Sequence, residues 1–154
     1  MLARSGLPPF DYVRATTRDE VVRLLQQDKD GVRLLMGGTD LLVRMRDGVV
    51  YPRLVVDVKY LPSMGQVTYD ERAGLIVGAA VTMNRLAVHP AVRAHYPLLA
   101  ESANTVASYQ VRNRATLGGN LSNASRRLIP RRLCCCLRRS SFCMGPTASG
   151  KCRP

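Results

Sequence analysis

Leu34-Leu35-Met36-Gly37-Gly38-Thr39-Asp40-Leu41-Leu42 decides how this chain is read. An apolar run meets a glycine pair and a hydroxyl residue, and a second apolar run then takes up helical spacing. Leu34 to Met36 have the character of the end of a buried strand. Gly37 and Gly38 lack a Cβ, so the backbone can turn sharply there and approach a ligand closely. Thr39 is a good helix N-cap, and Leu41, Leu42 and Met45 recur at one-turn spacing before Gly48 stops the helix. Strand, glycine turn and helix N-terminus together aim free backbone N–H groups at one point, a geometry suited to a phosphate.

A glycine pair alone is more often a plain tight turn. A second stretch raises its meaning: Arg112-Asn113-Arg114-Ala115-Thr116-Leu117-Gly118-Gly119-Asn120-Leu121-Ser122-Asn123-Ala124-Ser125. It repeats the extended approach, hydroxyl and glycine pair, and adds amides and hydroxyls able to bond phosphate and sugar oxygens.

The 154 residues suffice for one ordinary domain or two small subdomains, and 46% apolar content is enough for a core. No apolar run approaches the length of a membrane span; Leu75–Val81 is the best and is far too short. Met1 to Pro9 contains no signal-peptide apolar region, so a cytoplasmic protein is expected. The net charge of +12 suggests nucleic acid or an anionic surface until its distribution is considered. Residues 1–125 hold 15 Lys and Arg against all 11 Asp and Glu; residues 126–154 hold 8 basic residues, no acid and all five cysteines. The body is thus mildly basic and cysteine-free, and no specific nucleic-acid partner is expected.

Pro8 to Val13 reads as an extended lead-in. Thr17-Arg18-Asp19-Glu20 is a capping box, followed by the inward stripe of Val21, Leu24 and Leu25 on a helix fading near Asp28. Arg33–Met36 is predicted as a strand, Thr39–Asp47 as a helix and Leu54–Val58 as a strand parallel to the first, completing a βαβ unit. Gln66–Tyr69 and Leu75–Ala79 flank a polar turn and form a hairpin. Thr82 caps a helix broken at His89-Pro90, Pro90 starts a short helix to about His95, and Pro97 begins another. Arg112–Leu117 is predicted as extended.

Residues 1–125 contain no plausible nucleophile–base pair and no zinc spacing. His89 and His95 are expected as solvent-exposed helix-end histidines. Asp40 is expected to complement the positive end of its own helix. No catalytic side chain and no metal are therefore assigned, and any redox chemistry must come from a cofactor.

Five motifs in order carry a resemblance: Pro9-Phe10-Asp11-Tyr12; Gly37-Gly38-Thr39-Asp40-Leu41; Leu54-Val55-Val56-Asp57; Ile76-Val77-Gly78-Ala79-Ala80-Val81-Thr82; and Val111 through Leu121. Residues 8–125 resemble the FAD-binding domain of the molybdenum hydroxylase flavoproteins, a family that includes the carbon monoxide and xanthine dehydrogenases. The resemblance implies that two glycine-rich loops grip the FAD pyrophosphate between two α+β subdomains. The first loop would be Met36, Gly37, Gly38, Thr39 and Asp40, continuing into Leu41; the second would be Thr116, Leu117, Gly118, Gly119 and Asn120. Both loops offer N–H groups and a hydroxyl, so two phosphates could be held without a metal or a lysine. The resemblance further implies Ala79 and Thr82 close to the flavin end, and Asn123 and Ser125 near the ribityl chain. Its implied partners are an iron–sulfur subunit and a molybdopterin-binding subunit, from which electrons pass through FAD to an acceptor.

The pattern breaks after Ser125. The family has a proline next and an aspartate a few residues on; here Arg126 stands at the first and no acid follows. The shift to Arg and Cys is what an out-of-frame reading of a GC-rich gene gives, so a frameshifted or truncated product with a disordered tail is expected. Gly145 to Cys152 approaches a P-loop but has no helix to open, and Cys134-Cys135-Cys136 lacks metal-ligand spacing.

The expected fold is α+β: an N-terminal βαβ subdomain over 1–57, an incomplete mixed second subdomain over 58–125, and the tail over 126–154. The expected function is that of an FAD-binding flavoprotein subunit of a molybdenum hydroxylase. Its rivals are an inactive fragment without stable FAD binding, such as a basic nucleic-acid module, or another flavoenzyme of the same broad fold.

Overall fold

The computed structural model describes residues 6–123. The tail over 126–154 and the near-P-loop within it lie outside the described residues.

The lead-in is itself a strand, β1 (Asp11–Arg14), followed by α1 (Arg18–Gln27), β2 (Val32–Leu35), α2 (Leu41–Arg46) and β3 (Leu54–Asp57). The three strands form one parallel sheet in the order β1-β3-β2, with Val55 opposite both Tyr12 and Arg33. β3 holds the centre because all four of its residues are buried, the pattern of a strand covered on both faces. On one face Val21 of α1, with Leu24 and Leu25 beside it, packs against Ala15, Val32, Leu54 and Val56. Met45 of α2 is buried outside that cluster, and the side chains of Leu35 and Leu42 both lie against Gly38.

The N-terminus of α1 follows the capping reading with one change. The Thr17 hydroxyl accepts the Glu20 N–H at 3.3 Å, but the Glu20 carboxylate reaches one residue further back, to the Thr16 N–H at 2.9 Å.

Asp57 ends β3 with a relative exposure of 2%. It accepts hydrogen bonds from the Tyr12 hydroxyl at 2.7 Å, the Lys59 N–H at 3.0 Å and Lys59 Nζ at 2.5 Å. Burial pushes its carboxyl up, but these donors and the Lys59 charge outweigh that and hold it below the ordinary carboxylate range. The same contact raises the Tyr12 phenol, because deprotonation would break its bond to Asp57.

The second half begins with the hairpin β4 (Val67–Asp70) and β5 (Gly74–Val77). Asp70 Oδ1 accepts the N–H groups of Arg72 and Ala73, and Gly74 adopts φ +80°, which closes the turn. α3 (Met83–Val88), α4 (Pro90–His95) and α5 (Pro97–Asn104) follow at the positions that Thr82, Pro90 and Pro97 predict. Their core is Met83, Leu86, Val92, Leu99 and Ala103, against which Val67, Leu75 and Val77 of the hairpin pack.

Two expectations fail here. Arg112–Leu117 is not extended: α6 (Tyr109–Arg112) and α7 (Leu117–Ser122) occupy its ends, leaving only Ala115 and Thr116 as extended backbone. The Ser108 hydroxyl caps α6 by accepting the Val111 N–H at 3.3 Å, a local signal that the apolar pattern hides. The histidines also differ from one another. His95 is exposed and stacks on Tyr69 with ring centroids 4.1 Å apart, whereas His89 is half-buried and its Nδ1 is enclosed without a hydrogen-bond partner.

Candidate functional site

β2 delivers the first glycine loop at its C-terminal end, the end at which open parallel sheets bind ligands. Gly38 takes φ +78°, a left-handed conformation that favours glycine. Gly37 is required by proximity, since a Cβ there would lie 2.3 Å from the Arg114 carbonyl oxygen. The N–H groups of Gly37, Gly38, Thr39, Asp40 and Leu41 donate to no other described residue; the first helical bond runs from the Leu42 N–H to Gly38 O at 3.0 Å. Thr39 is not the N-cap. Asp40 holds that position, already in the helical region and without a side-chain cap bond, so the helix is shorter than Thr39–Asp47. A six-residue helix carries only a small dipole, so the loop's anion affinity comes from its N–H groups.

The second loop is built differently. Thr116 caps α7, its hydroxyl accepting the Gly119 N–H at 3.2 Å and reaching Met36 Sδ at 3.6 Å. The Leu117 N–H bonds Val81 O at 2.9 Å, the Gly118 N–H bonds Ala79 O at 2.9 Å and the Asn120 N–H bonds Thr116 O at 2.9 Å. Four N–H groups of this loop are therefore spent within the protein. The glycines fall inside the first turn of α7, and Gly118 is required because a Cβ would sit 2.6 Å from the Ala79 Cβ. The loop contributes side chains more than N–H groups.

The two loops face one cavity of about 1020 Å³. Met36, Gly37, Gly38, Thr39, Asp40 and Leu41 line it on one side, and Thr116, Gly119, Asn120 and Asn123 on the other. Ala79, Thr82, Leu117 and Gly118 do not line it. Within the second loop Leu117 and Gly118 bond Val81 and Ala79 instead, and Thr82, which caps α3, forms an isolated antiparallel bridge with Thr116. Ser125 lies outside the described residues.

Several lining residues escape the sequence reading. Arg44 follows Asp40 by one helical turn, so helical periodicity could have placed it on the wall. The two side chains are not ion-paired with each other. Thr105, Val106 and Ala107, from the turn after α5, also line the cavity, and no pattern in the sequence marks them.

These features fit a dinucleotide cofactor. Five uncommitted N–H groups at a glycine loop suit a pyrophosphate, and the buried Asn120 Oδ1, which has no partner, awaits a donor such as a sugar hydroxyl. Among the described residues no cluster of His, Cys, Asp and Glu could hold a metal ion, and no helix is long and apolar enough to cross a membrane.

Comparison with known proteins assigns the class. Residues 8–128 match the FAD-binding domain in molybdopterin dehydrogenase, and the chain belongs to that family. The cofactor of the family is FAD. The nicotinate dehydrogenase FAD-subunit of Eubacterium barkeri is 35% identical over 117 residues, which are 75% of this chain and 39% of that protein. The carbon monoxide dehydrogenase medium chain of Hydrogenophaga pseudoflava is 35% identical over 116 residues, 75% of this chain and 40% of that one. Among solved structures, quinoline 2-oxidoreductase from Pseudomonas putida 86 superposes with a TM-score of 0.72 at 35% identity, covering 79% of this chain and 42% of the other. The chain thus spans about two fifths of the length of the relatives it matches.

Proposed function

We propose that the cavity between the two glycine loops holds FAD, and that the chain acts as the FAD-binding part of a molybdenum hydroxylase flavoprotein subunit. The observation that carries this reading is the set of five uncommitted N–H groups from Gly37 to Leu41 on the cavity wall. They would bind the pyrophosphate, with Thr39 adding a hydroxyl and Arg44 offsetting the Asp40 charge. Asn120 and Asn123 would bond the sugar or ribityl hydroxyls. Ala79, Thr82, Leu117 and Gly118 would act by fixing the position of Thr116. Bound FAD supplies the redox chemistry, accepting electrons and passing them to an acceptor. The protein residues bind, orient and shield it.

The division into a subdomain over 1–57 and a second over 58–125 is part of this proposal. Two separate cores support a division, one around Val56 and one around Leu86, although the first also takes in Val58 and Leu61 and so reaches past residue 57. The proposed partners are an iron–sulfur subunit and a molybdopterin-binding subunit, in a complex proposed to be cytoplasmic; the names of the relatives, an FAD-subunit and a medium chain, support membership of a multi-subunit enzyme. The test is an absorbance spectrum of the purified chain after incubation with FAD and desalting. A retained, shifted flavin band is the expected result; loss of all flavin from a chain folded by circular dichroism would favour the rival reading, an inactive fragment.

A further inference from the structure

One residue of the cavity wall is strained. Ala107 adopts φ +43°, a left-handed conformation that an alanine avoids, and yet it lines the cavity together with Val106. One side chain holds it there. Arg112 Nη1 donates to Val106 O at 3.0 Å and to Ala107 O at 2.9 Å, while its Nε donates to Asn84 Oδ1 at 3.1 Å. Asn84 in turn donates through Nδ2 to Tyr109 O at 3.0 Å and to Asn113 Oδ1 at 2.7 Å. Asn84 sits near the start of α3, where the Met83 N–H bonds Ala115 O at 2.9 Å beside the second loop. The guanidinium therefore ties the strained wall to the frame that carries Thr116.

We propose that Arg112 is a positioning residue for the cofactor: by holding Ala107 in its left-handed conformation, it sets that part of the cavity wall. This rests on the reading that the cavity binds FAD. Arg112 is not among the residues that line the cavity, so it acts through the shape of the wall and not by direct contact with the cofactor. Lysine cannot replace that fork of donors. Glycine at position 107 can reduce the need for it, because a left-handed conformation costs glycine nothing extra.

The test uses the full chain and follows quenching of flavin fluorescence on titration with FAD, with circular dichroism as the check on folding. R112Q and R112K are both expected to weaken FAD binding by about tenfold or more, since a charged group loses several hydrogen bonds. R112Q/A107G is expected to bind FAD more tightly than R112Q and to recover at least about half of the loss on a logarithmic scale, with A107G measured as the reference for the double variant. R112K binding as tightly as wild type would show that charge alone suffices and overturn the proposal; so would a double variant no better than R112Q. If the arginine variants do not fold, Asn84→Ala decides, with an expected weakening of about threefold and unchanged affinity as the overturning result. Amide hydrogen exchange separates this proposal from the cofactor reading. A folded wild type that binds no FAD would sink that reading, while exchange at Val106 to Ser108 still judges the clamp: faster in R112Q if it exists, equal if it does not.

Discussion

Replacing Gly37 by alanine tests the junction of the two loops directly. The new Cβ would lie 2.3 Å from Arg114 O, 3.1 Å from Arg114 C and 3.2 Å from Ala115 Cα, all of them backbone atoms. Reaching even 3.0 Å from the oxygen requires a displacement of about 0.7 Å, and no flexible side chain is available to absorb it. Arg114 cannot yield freely, since its N–H bonds Val111 O at 2.9 Å and the following Ala115 O accepts from Met83 at 2.9 Å. Overpacking of this kind costs about 1–3 kcal/mol. Part of that falls on folding and part on the alignment of the N–H groups. Gly37→Ala is therefore expected to lower the melting temperature by several degrees, with about 1 kcal/mol corresponding to about 2–4 °C in a chain of this size. FAD binding should weaken by about tenfold or more. Gly65→Ala is the control, because its Cβ would meet only Arg85 Nη1, at 3.8 Å. Thermal melts and fluorescence titration of both variants decide the matter. A Gly37→Ala protein that melts and binds FAD like Gly65→Ala would refute the close approach of the two loops.

Other perturbations separate binding from stability. Asn120→Ala removes the enclosed, unpartnered Oδ1; it should leave the melting temperature of the cofactor-free chain unchanged or raised while weakening FAD binding, since an unsatisfied buried acceptor costs about 1 kcal/mol. Thr116→Val removes the α7 cap and should cost about 1 kcal/mol in a denaturant titration, with a further loss of FAD affinity because the second loop shifts. For Asp57 the folded carboxyl titrates below its ordinary value, so the unfolded chain binds the extra proton first on acidification. Its contribution is fully present above the ordinary aspartate value of about 3.9 and is lost as pH falls through the lower folded value. Asp57→Asn should accordingly be less stable than wild type at neutral pH, and the gap should narrow as pH falls below about 4.

Legibility followed the range of the interaction that decided each element. α1 was readable because its cap, stripe and stop all lie within Thr17 to Asp28. The hairpin was readable from Asp70 to Gly74, whose turn bonds span only two or three residues. The starts of α3, α4 and α5 were readable from Thr82, Pro90 and Pro97, each of which acts on its own helix. β1 was legible only as extended backbone, because its strand identity comes from pairing with β3, more than forty residues away. Asp57 looked like the end of an apolar run; nothing local announces that Tyr12 and Lys59 would make it a buried, ionised junction.

The two glycine pairs show where such reading stops. In sequence, Gly37-Gly38 and Gly118-Gly119 follow the same logic of extended approach, glycine pair and helix. What separates them is the backbone each one meets. Gly37 presses against the Arg114 carbonyl, and the N–H groups from Gly37 to Leu41 stay unspent in a loop that lines the cavity. Gly118 presses against Ala79, and that contact uses its N–H on Ala79 O. On the proposed reading, one pair would leave its N–H groups for a ligand, while the other docks a helix against Ala79. That reading divides the labour between the loops, in place of the symmetric picture of two equal phosphate grips. Gly37 to Leu41 would provide the donors, and Thr116, Gly119, Asn120 and Asn123 would contribute their side of the cavity lining. A second-loop glycine should therefore be sensitive mainly in stability, and a first-loop glycine in both stability and cofactor affinity. Gly118→Ala measured beside Gly37→Ala, each by thermal melt and FAD titration, separates the two. Equal ratios of affinity loss to stability loss would restore the symmetric picture; a larger ratio for Gly37→Ala follows from the division described.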